Sequence, residues 1–281
     1  FNMHYFFRSL YPFVFLAFFL SYNNLKVIHK WVKVFKCFII LNSILIIIGF
    51  LIEIPVFKTY YDSSRFGYQG LLLYHSEAGY IYFMSLALFY SLYKKCKSKT
   101  NALLCILTIV CMLLIGTKKA LFLFSFFLIY IVYDNRKTWI NKRVFFVFLV
   151  ILLGTFYIKD YLFNVIKTTY STLFHVYQKE GFLTAFFSYR NEAVSERMIP
   201  FFNEYWSKIN YLIGGPAFRT FRVEMEIFDV FLFFGFSGLI IYYLLINKLI
   251  RKCYSKEGVI MSIGILLAAC FSGNFLASIN V

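Results

Sequence analysis

Eight apolar runs constrain this chain more than anything else in it. They cover roughly residues 5–22, 37–53, 77–93, 102–116, 120–133, 144–158, 227–246 and 258–279. Four of the connections between them are strongly basic. Lys26, Lys30, Lys33 and Lys36 fall in 23–36, and Lys94, Lys95, Lys97 and Lys99 follow the third run. Arg136, Lys137, Lys142 and Arg143 fall in 134–143, and Lys248, Arg251, Lys252 and Lys256 follow the seventh run. Asp134 is the one acid within these four basic groups. Hydrophobic residues make up 61% of the chain, with 38 Phe and 23 Tyr, against about 45–50% apolar in an ordinary soluble domain. The mean hydropathy is +0.71. Long apolar runs alternating with basic turns predict an all-α, polytopic transmembrane helix bundle of about eight helices, 1–281 forming one membrane domain.

Basic connections mark the cytoplasmic side of such a bundle, here about 23–36, 94–101, 134–143 and 247–257. The remaining long connections, about 54–76 and 159–226, are mixed in charge and are expected outside the cell, the second holding eight basic and seven acidic residues. This alternation requires 102–133 to be two helices with Lys118 and Lys119 at an outer turn; a single long or re-entrant element would reverse every later crossing. The net charge of +16 does not indicate nucleic acid, because the basic residues sit in short clusters between apolar runs and form no basic domain. Cys37, Cys96, Cys105, Cys111, Cys253 and Cys270 fall in helices or cytoplasmic turns, so no disulfide is expected. The four histidines, His4, His29, His75 and His175, are scattered, and no metal or cofactor is implied. The chain begins at Phe1 without an initiator Met and stops at "NFLASINV", which reads as part of something longer.

The long connection 159–226 keeps apolar periodicity, so short interfacial helices are expected in it, bent at Pro200 and turned back at Gly214, Gly215 and Pro216. Charge concentrates where these loops meet the apolar runs. Arg65 lies in "SSRFGYQG", Lys118 and Lys119 in "GTKKAL", and Arg190, Glu196 and Arg197 in "YRNEAVSERM". Arg219, Arg222, Glu224, Glu226 and Asp229 crowd into "FRTFRVEMEIFD". Each could be an ordinary solvated charge or a snorkelling side chain. Together, Arg65, Lys118, Lys119, Arg190, Arg197, Arg219 and Arg222 would form a cationic ring. Guanidinium forks suit phosphate oxygens, so the natural ligand of such a ring is a lipid-linked diphosphate among membrane lipids.

The order of these pieces resembles the O-antigen polymerase and O-antigen ligase-like superfamily. The carriers of that resemblance are "SRFGYQGLLLYHSEAGYIYF", "IGTKKALFLF", "YRNEAVSERMIPFFNEYWSKINYLIGGPAF" and "VEMEIFDVFLFFGFSGLIIYYLL", the last with Gly235 and Gly238 as a helix break. Lys118 and Lys119 stand where the family often has Ser and Arg. A late loop histidine typical of ligases is replaced here by Glu224 and Glu226.

The resemblance implies a metal-independent polysaccharide polymerase in a bacterial plasma (inner) membrane, crossing it many times. It would join undecaprenyl-diphosphate-linked oligosaccharides into capsule, O-antigen or exopolysaccharide, with a chain-length regulator and a flippase of the same pathway as partners. Arg190, Arg197 and Arg65 would stabilise the departing diphosphate, and Arg219, Arg222, Lys118 and Lys119 would hold it. Glu224 would take the acceptor proton, with Glu226 and Glu196 in support. Ligase-type transfer, a precursor transporter or flippase, and a non-catalytic membrane subunit are the alternatives.

Overall fold

From Leu25 to Ile52 the chain holds no proline, and it forms one long helix, α1. Glu53 ends it by turning to a φ of 56°, and Pro55 opens a single 3-10 turn, Pro55–Phe57. Proline suits that first position because the amide it lacks would have no helical partner there. The computed structural model describes residues 25–60, 66–72, 75–134, 175–181, 184, 189–215, 223, 225–252 and 255–272. Three helices follow: α2 (His75–Cys96), α3 (Lys99–Leu114) and α4 (Lys118–Asp134). The Thr117 hydroxyl accepts the Ala120 amide at 3.2 Å and so caps α4, which separates α3 from α4 at residues 115–117.

Helix α2 is central. Ala78, Tyr80, Tyr82, Phe83, Leu86, Ala87, Phe89 and Tyr90 are all buried, and these positions run round the helix rather than along one stripe. It packs against α3, α4 and the last helix, α8 (Lys256–Ser272). Phe127 of α4 meets Phe83 and Tyr90 edge-on, with ring centroids 5.9 and 5.6 Å apart. Helix α1 lies against α3, and the Cys111 thiol reaches the Ser43 carbonyl.

The segment after α1 folds back over the ends of α1 and α3. Tyr68 donates its amide to the Leu114 carbonyl at 2.8 Å, and the Thr59 hydroxyl donates to the Ile115 carbonyl at 3.0 Å. Both acceptors belong to the last turn of α3, where helical partners run out. Asn42, fully buried in α1, fastens the same segment. Its Oδ1 accepts the Leu71 amide at 2.7 Å, while its Nδ2 donates to the Tyr82 hydroxyl at 3.0 Å and the Gln69 carbonyl at 3.3 Å.

Further along, α5 is built from Arg190–Glu192, a π-helical Ala193–Met198 and Ile199–Tyr205. The wide turn comes just before Pro200, with the Ile199 amide reaching back to the Val194 carbonyl. Proline has no amide for the next bond and crowds the preceding turn, and a π-turn accommodates both. The short α6 (Lys208–Ile213) then packs on α7 (Glu226–Lys252). Helix α7 is broken at Gly235, whose φ of 62° and ψ of −158° lie in a region open in practice only to glycine.

The eight-span bundle expected from the sequence is corrected here. Among the described residues two helices are long and apolar enough to cross a membrane, His29–Ile52 and Glu226–Lys248, and the second contains the Gly235 break. The run at 102–116 becomes a helix of only 16 residues, short of the about 20 that span a bilayer, while α4 and α8 cover the described parts of the runs at 120–133 and 258–279. Helix α2 is long enough but carries Glu77, three serines, four tyrosines and two lysines. Its apolar side chains are used against α3, α4 and α8. The runs at 5–22 and 144–158 lie outside the described residues. The polytopic transmembrane fold and the multi-pass inner-membrane placement drawn from it are therefore not supported.

At one end of the bundle a lysine joins three helices. Lys94 Nζ lies 2.7 Å from Asp134 Oδ2, at the end of α4, and 2.8 Å from Glu257 Oε1, in the first turn of α8. The Tyr130 hydroxyl also donates to Glu257, at 3.2 Å. Burial pushes the Glu257 carboxyl up, but the Lys94 and Tyr130 hydrogen bonds and a backbone amide outweigh it and hold it below its usual range. Its stabilising contribution is thus present above the unfolded carboxylate value, about 4.3, and is lost as the pH falls through the lower folded value. Thermal melts should show a smaller acid-side loss for Glu257→Gln than for the native chain. Because Lys94 is more than a third exposed, the difference should stay near about 1 kcal/mol. Superimposable acid profiles would show that the cluster contributes nothing.

Candidate functional site

The opposite end of the bundle gathers charge from several helix starts. Helix α2 begins with Glu77 and Tyr80, α4 with Lys118 and Lys119, α5 with Arg190, and α7 with Glu226 and Asp229. At Gly79 the absence of a side chain lets α2 lie against the start of α4; a Cβ there would sit 3.4 Å from the Ala120 amide nitrogen and 3.6 Å from Lys119 Cγ. The result is a buried Lys119, only 5% exposed, with its Nζ 4.2 Å from the centroid of the Tyr80 ring. A cation at a helix N-terminus is electrostatically misplaced. The ring face of Tyr80 and the carboxylate of Glu77 supply the compensation.

Tyr80 marks the centre of the group. Burial first, then Glu226 and the Cys270 thiol, push its phenol well above the usual range, and Arg190 opposes them. Glu226, Cys270 and Arg190 therefore all lie within electrostatic reach of one hydroxyl, although they come from α7, α8 and α5. Glu226 is 2% exposed, and the Nε of Arg190 is buried. Asp229 is equally buried, and its Oδ1 accepts the Val223 amide at 2.9 Å, which ties the approach to α7 onto the helix. Burial raises the Glu77 carboxyl above its usual value, and the Lys119 charge only partly offsets this. Tyr189, immediately before Arg190, adopts a left-handed φ of 65°, uncommon for a residue with a side chain, and this turn sets the direction in which α5 starts.

Of the residues expected at a site, the fold brings Lys119, Arg190 and Glu226 together. Lys118 is exposed beside them, and Glu196 is exposed on the π-helical turn. Arg197 belongs to the same turn, but its side chain is outside the described residues, as are Arg65, Arg219, Arg222 and Glu224 entirely. The group contains members that the sequence did not single out: Glu77, Tyr80 and Cys270. Glu77 had a detectable signal, being a carboxylate at the first position of the apolar run 77–93, though it lies near Lys119 only after folding. Tyr80 had none, since 23 tyrosines are spread along the chain.

Chemically the cluster combines the cations Lys119 and Arg190, the carboxylates Glu77 and Glu226 and the Tyr80 phenol, with Lys119, Glu226 and Tyr80 buried and Glu77 and Arg190 half-buried. It can hold an anionic group on Lys119 and Arg190 and can store a proton on Glu77. Comparison with protein-family models, curated proteins and solved structures finds no match. The motif resemblance to the O-antigen polymerase and ligase-like superfamily is thus supported by no family model, and among the described residues only two helices meet the length and apolarity of a membrane span, not the many-span frame it requires. The reading of the chain as a polymerase of lipid-linked repeat units is withdrawn on those two findings.

Proposed function

We infer that the Glu77 end of the bundle is a binding site for a diphosphate-bearing amphiphile. What carries this reading is the buried Lys119, set against Tyr80 in the same cluster as Arg190. Two cations from elements some 70 residues apart lie near one buried tyrosine, Lys119 over its ring and Arg190 within electrostatic reach of its hydroxyl. Lys119 supplies a point charge and Arg190 a planar fork, a pairing suited to phosphate oxygens. Apolar side chains of the surrounding helices suit the hydrocarbon part of such a molecule.

Farnesyl diphosphate and the uncharged farnesol are the informative probes, with binding read by calorimetry and by the rise in melting temperature. The diphosphate should bind and farnesol should not. Lys119→Met and Arg190→Met should each weaken binding at least about tenfold, the equivalent of one charge-assisted hydrogen bond. Lys118→Met should leave it unchanged. Equal binding of farnesol, or Lys119 and Arg190 variants that bind like the native chain, would overturn the reading.

The raised Glu77 carboxyl gives the binding a pH dependence. Glu77 competes for Lys119 while ionised and releases it when protonated. Affinity should rise as the pH falls toward the raised Glu77 value. Glu77→Gln should keep only the pH dependence that comes from protonation of the diphosphate itself, so the difference between the two profiles isolates Glu77. A pH profile identical in the two proteins would exclude Glu77 from the site.

A further inference from the structure

Helix α1 carries a second pattern that the site does not use. Val34, Cys37, Leu41, Ile44, Ile48 and Leu51 follow one another at alternating intervals of three and four residues. Val34, Cys37, Leu41, Ile44 and Leu51 are exposed, Leu51 at 71%, and Ile48 is half-buried. The opposite face, with Ile39, Asn42, Ser43 and Ile46, is buried against the rest of the bundle. An unbroken three-four stripe over nearly three heptads is the seam of a two-helix coiled coil, in which each knob enters a hole on a partner with the same spacing. No described element of this chain covers it.

We propose that this seam pairs with the seam of a second copy of this chain, running antiparallel. The pattern is self-complementary in that sense: Val34 meets Leu51, Cys37 meets Ile48, and Leu41 meets Ile44 of the other copy. Charge selects the direction. Lys30 and Lys33 lie at the start of the stripe and Glu53 just past its end, all exposed. Parallel pairing would place the lysines of both copies side by side, whereas antiparallel pairing brings Lys33 of each copy close to Glu53 of the other. The face of α1 that carries Asn42 stays with its own bundle, so dimerisation needs no rearrangement of the fold.

The test uses the full chain with Cys96, Cys105, Cys111, Cys253 and Cys270 replaced by Ala, its helicity checked by circular dichroism. Cys37 and residue 48 lie about 16 Å apart along one helix, so they cannot be joined within a copy. Adding Ile48→Cys should give a covalent dimer on copper-phenanthroline oxidation, and Cys37 alone should not. Mass measurement in solution should show a dimer for the native chain and a monomer for Leu41→Lys, with melting temperature measured at matched concentration to separate lost pairing from lost folding. Crosslinking through Cys37 alone would mean parallel pairing and would overturn the proposal. So would a monomer whose Cys37 reacts freely with maleimide, the behaviour of a bare or lipid-covered face. A monomer with protected Cys37 would assign the seam to another part of the same chain, with the same consequence.

Discussion

Gly235→Ala is expected to destabilise the protein by about 3 kcal/mol or more, although the same change in an unbroken helix would stabilise it by about 1 kcal/mol. The opposite signs make this an incisive experiment. The break in α7 brings its backbone against the end of α6: a Cβ on Gly235 would lie 2.6 Å from the Leu212 carbonyl carbon and oxygen and 2.7 Å from the Gly214 nitrogen. Gly214 makes the reciprocal approach, its own Cβ position colliding with the Phe233 carbonyl, and Gly215 donates its amide to the Leu232 carbonyl at 3.1 Å. Neither backbone can retreat without losing that bond and the aromatic packing of Trp206, Tyr211 and Phe231. Backbone strain and overpacking each cost about 1–3 kcal/mol. Gly214→Ala should cost a similar amount, and the double variant less than the sum, because both changes spoil one contact. Chemical denaturation measures all three. A Gly235→Ala protein more stable than the native one would mean that α7 runs straight through residue 235.

The second large effect is expected at Asn42. Asn42→Leu keeps the volume and removes three hydrogen bonds, leaving the Leu71 amide and the Gln69 carbonyl to find other partners. An unsatisfied buried group costs about 1–3 kcal/mol, so a total of about 3 kcal/mol follows. Tyr82→Phe removes one partner of the same network and should cost about 1 kcal/mol, since Ser43 Oγ also bonds that hydroxyl, at 3.1 Å. The double variant should again fall short of additivity. Hydrogen exchange locates the damage: the Leu71 amide should lose protection in Asn42→Leu while the amides of α4 keep theirs. Undiminished protection at Leu71 would show that the 66–72 segment is held by its backbone bonds to Phe57, Thr59 and Leu114 without Asn42.

The positions of the helices were legible in the sequence because apolar runs and basic turns punctuate it. The run at 37–53 falls on α1 as far as Ile52, although the basic stretch expected as a connection at 23–36 is helical from Leu25, and the runs at 77–93, 102–116 and 120–133 correspond to α2, α3 and α4, with the break falling before Lys118. What those helices do with their apolar surface was not legible. A run of Leu, Ile and Phe has the same composition whether it faces hydrocarbon or a neighbouring helix, and α2 shows the second use over most of its circumference. Partner choice escaped for a related reason. Asp134 stood out as the lone acid among basic turns, yet nothing local linked it to Lys94 and Glu257, which lie 40 and 123 residues away (134 − 94 and 257 − 134). At the candidate site the unusual residues were those that interrupt greasy sequence, so Lys119, Arg190 and Glu226 were visible. A tyrosine among many, and a cysteine near the end of α8, became significant only through proximity.

The left-handed turn at Tyr189 and the wide turn before Pro200 lie on either side of Arg190, and the kink at Gly235 lies on the far side of Glu226. Residues 226–234 therefore form a short arm between the candidate site and the Gly235 break, with Glu226 buried at one end and the Leu212–Gly215 corner pressed against the other. That arm connects the candidate site to the indole of Trp206, because the Leu232 carbonyl accepts the Gly215 amide and the Phe231 ring lies 6.3 Å from that of Trp206. A change of indole emission on diphosphate binding, in a variant that keeps Trp206 as its sole tryptophan, would show that occupancy is felt along this arm.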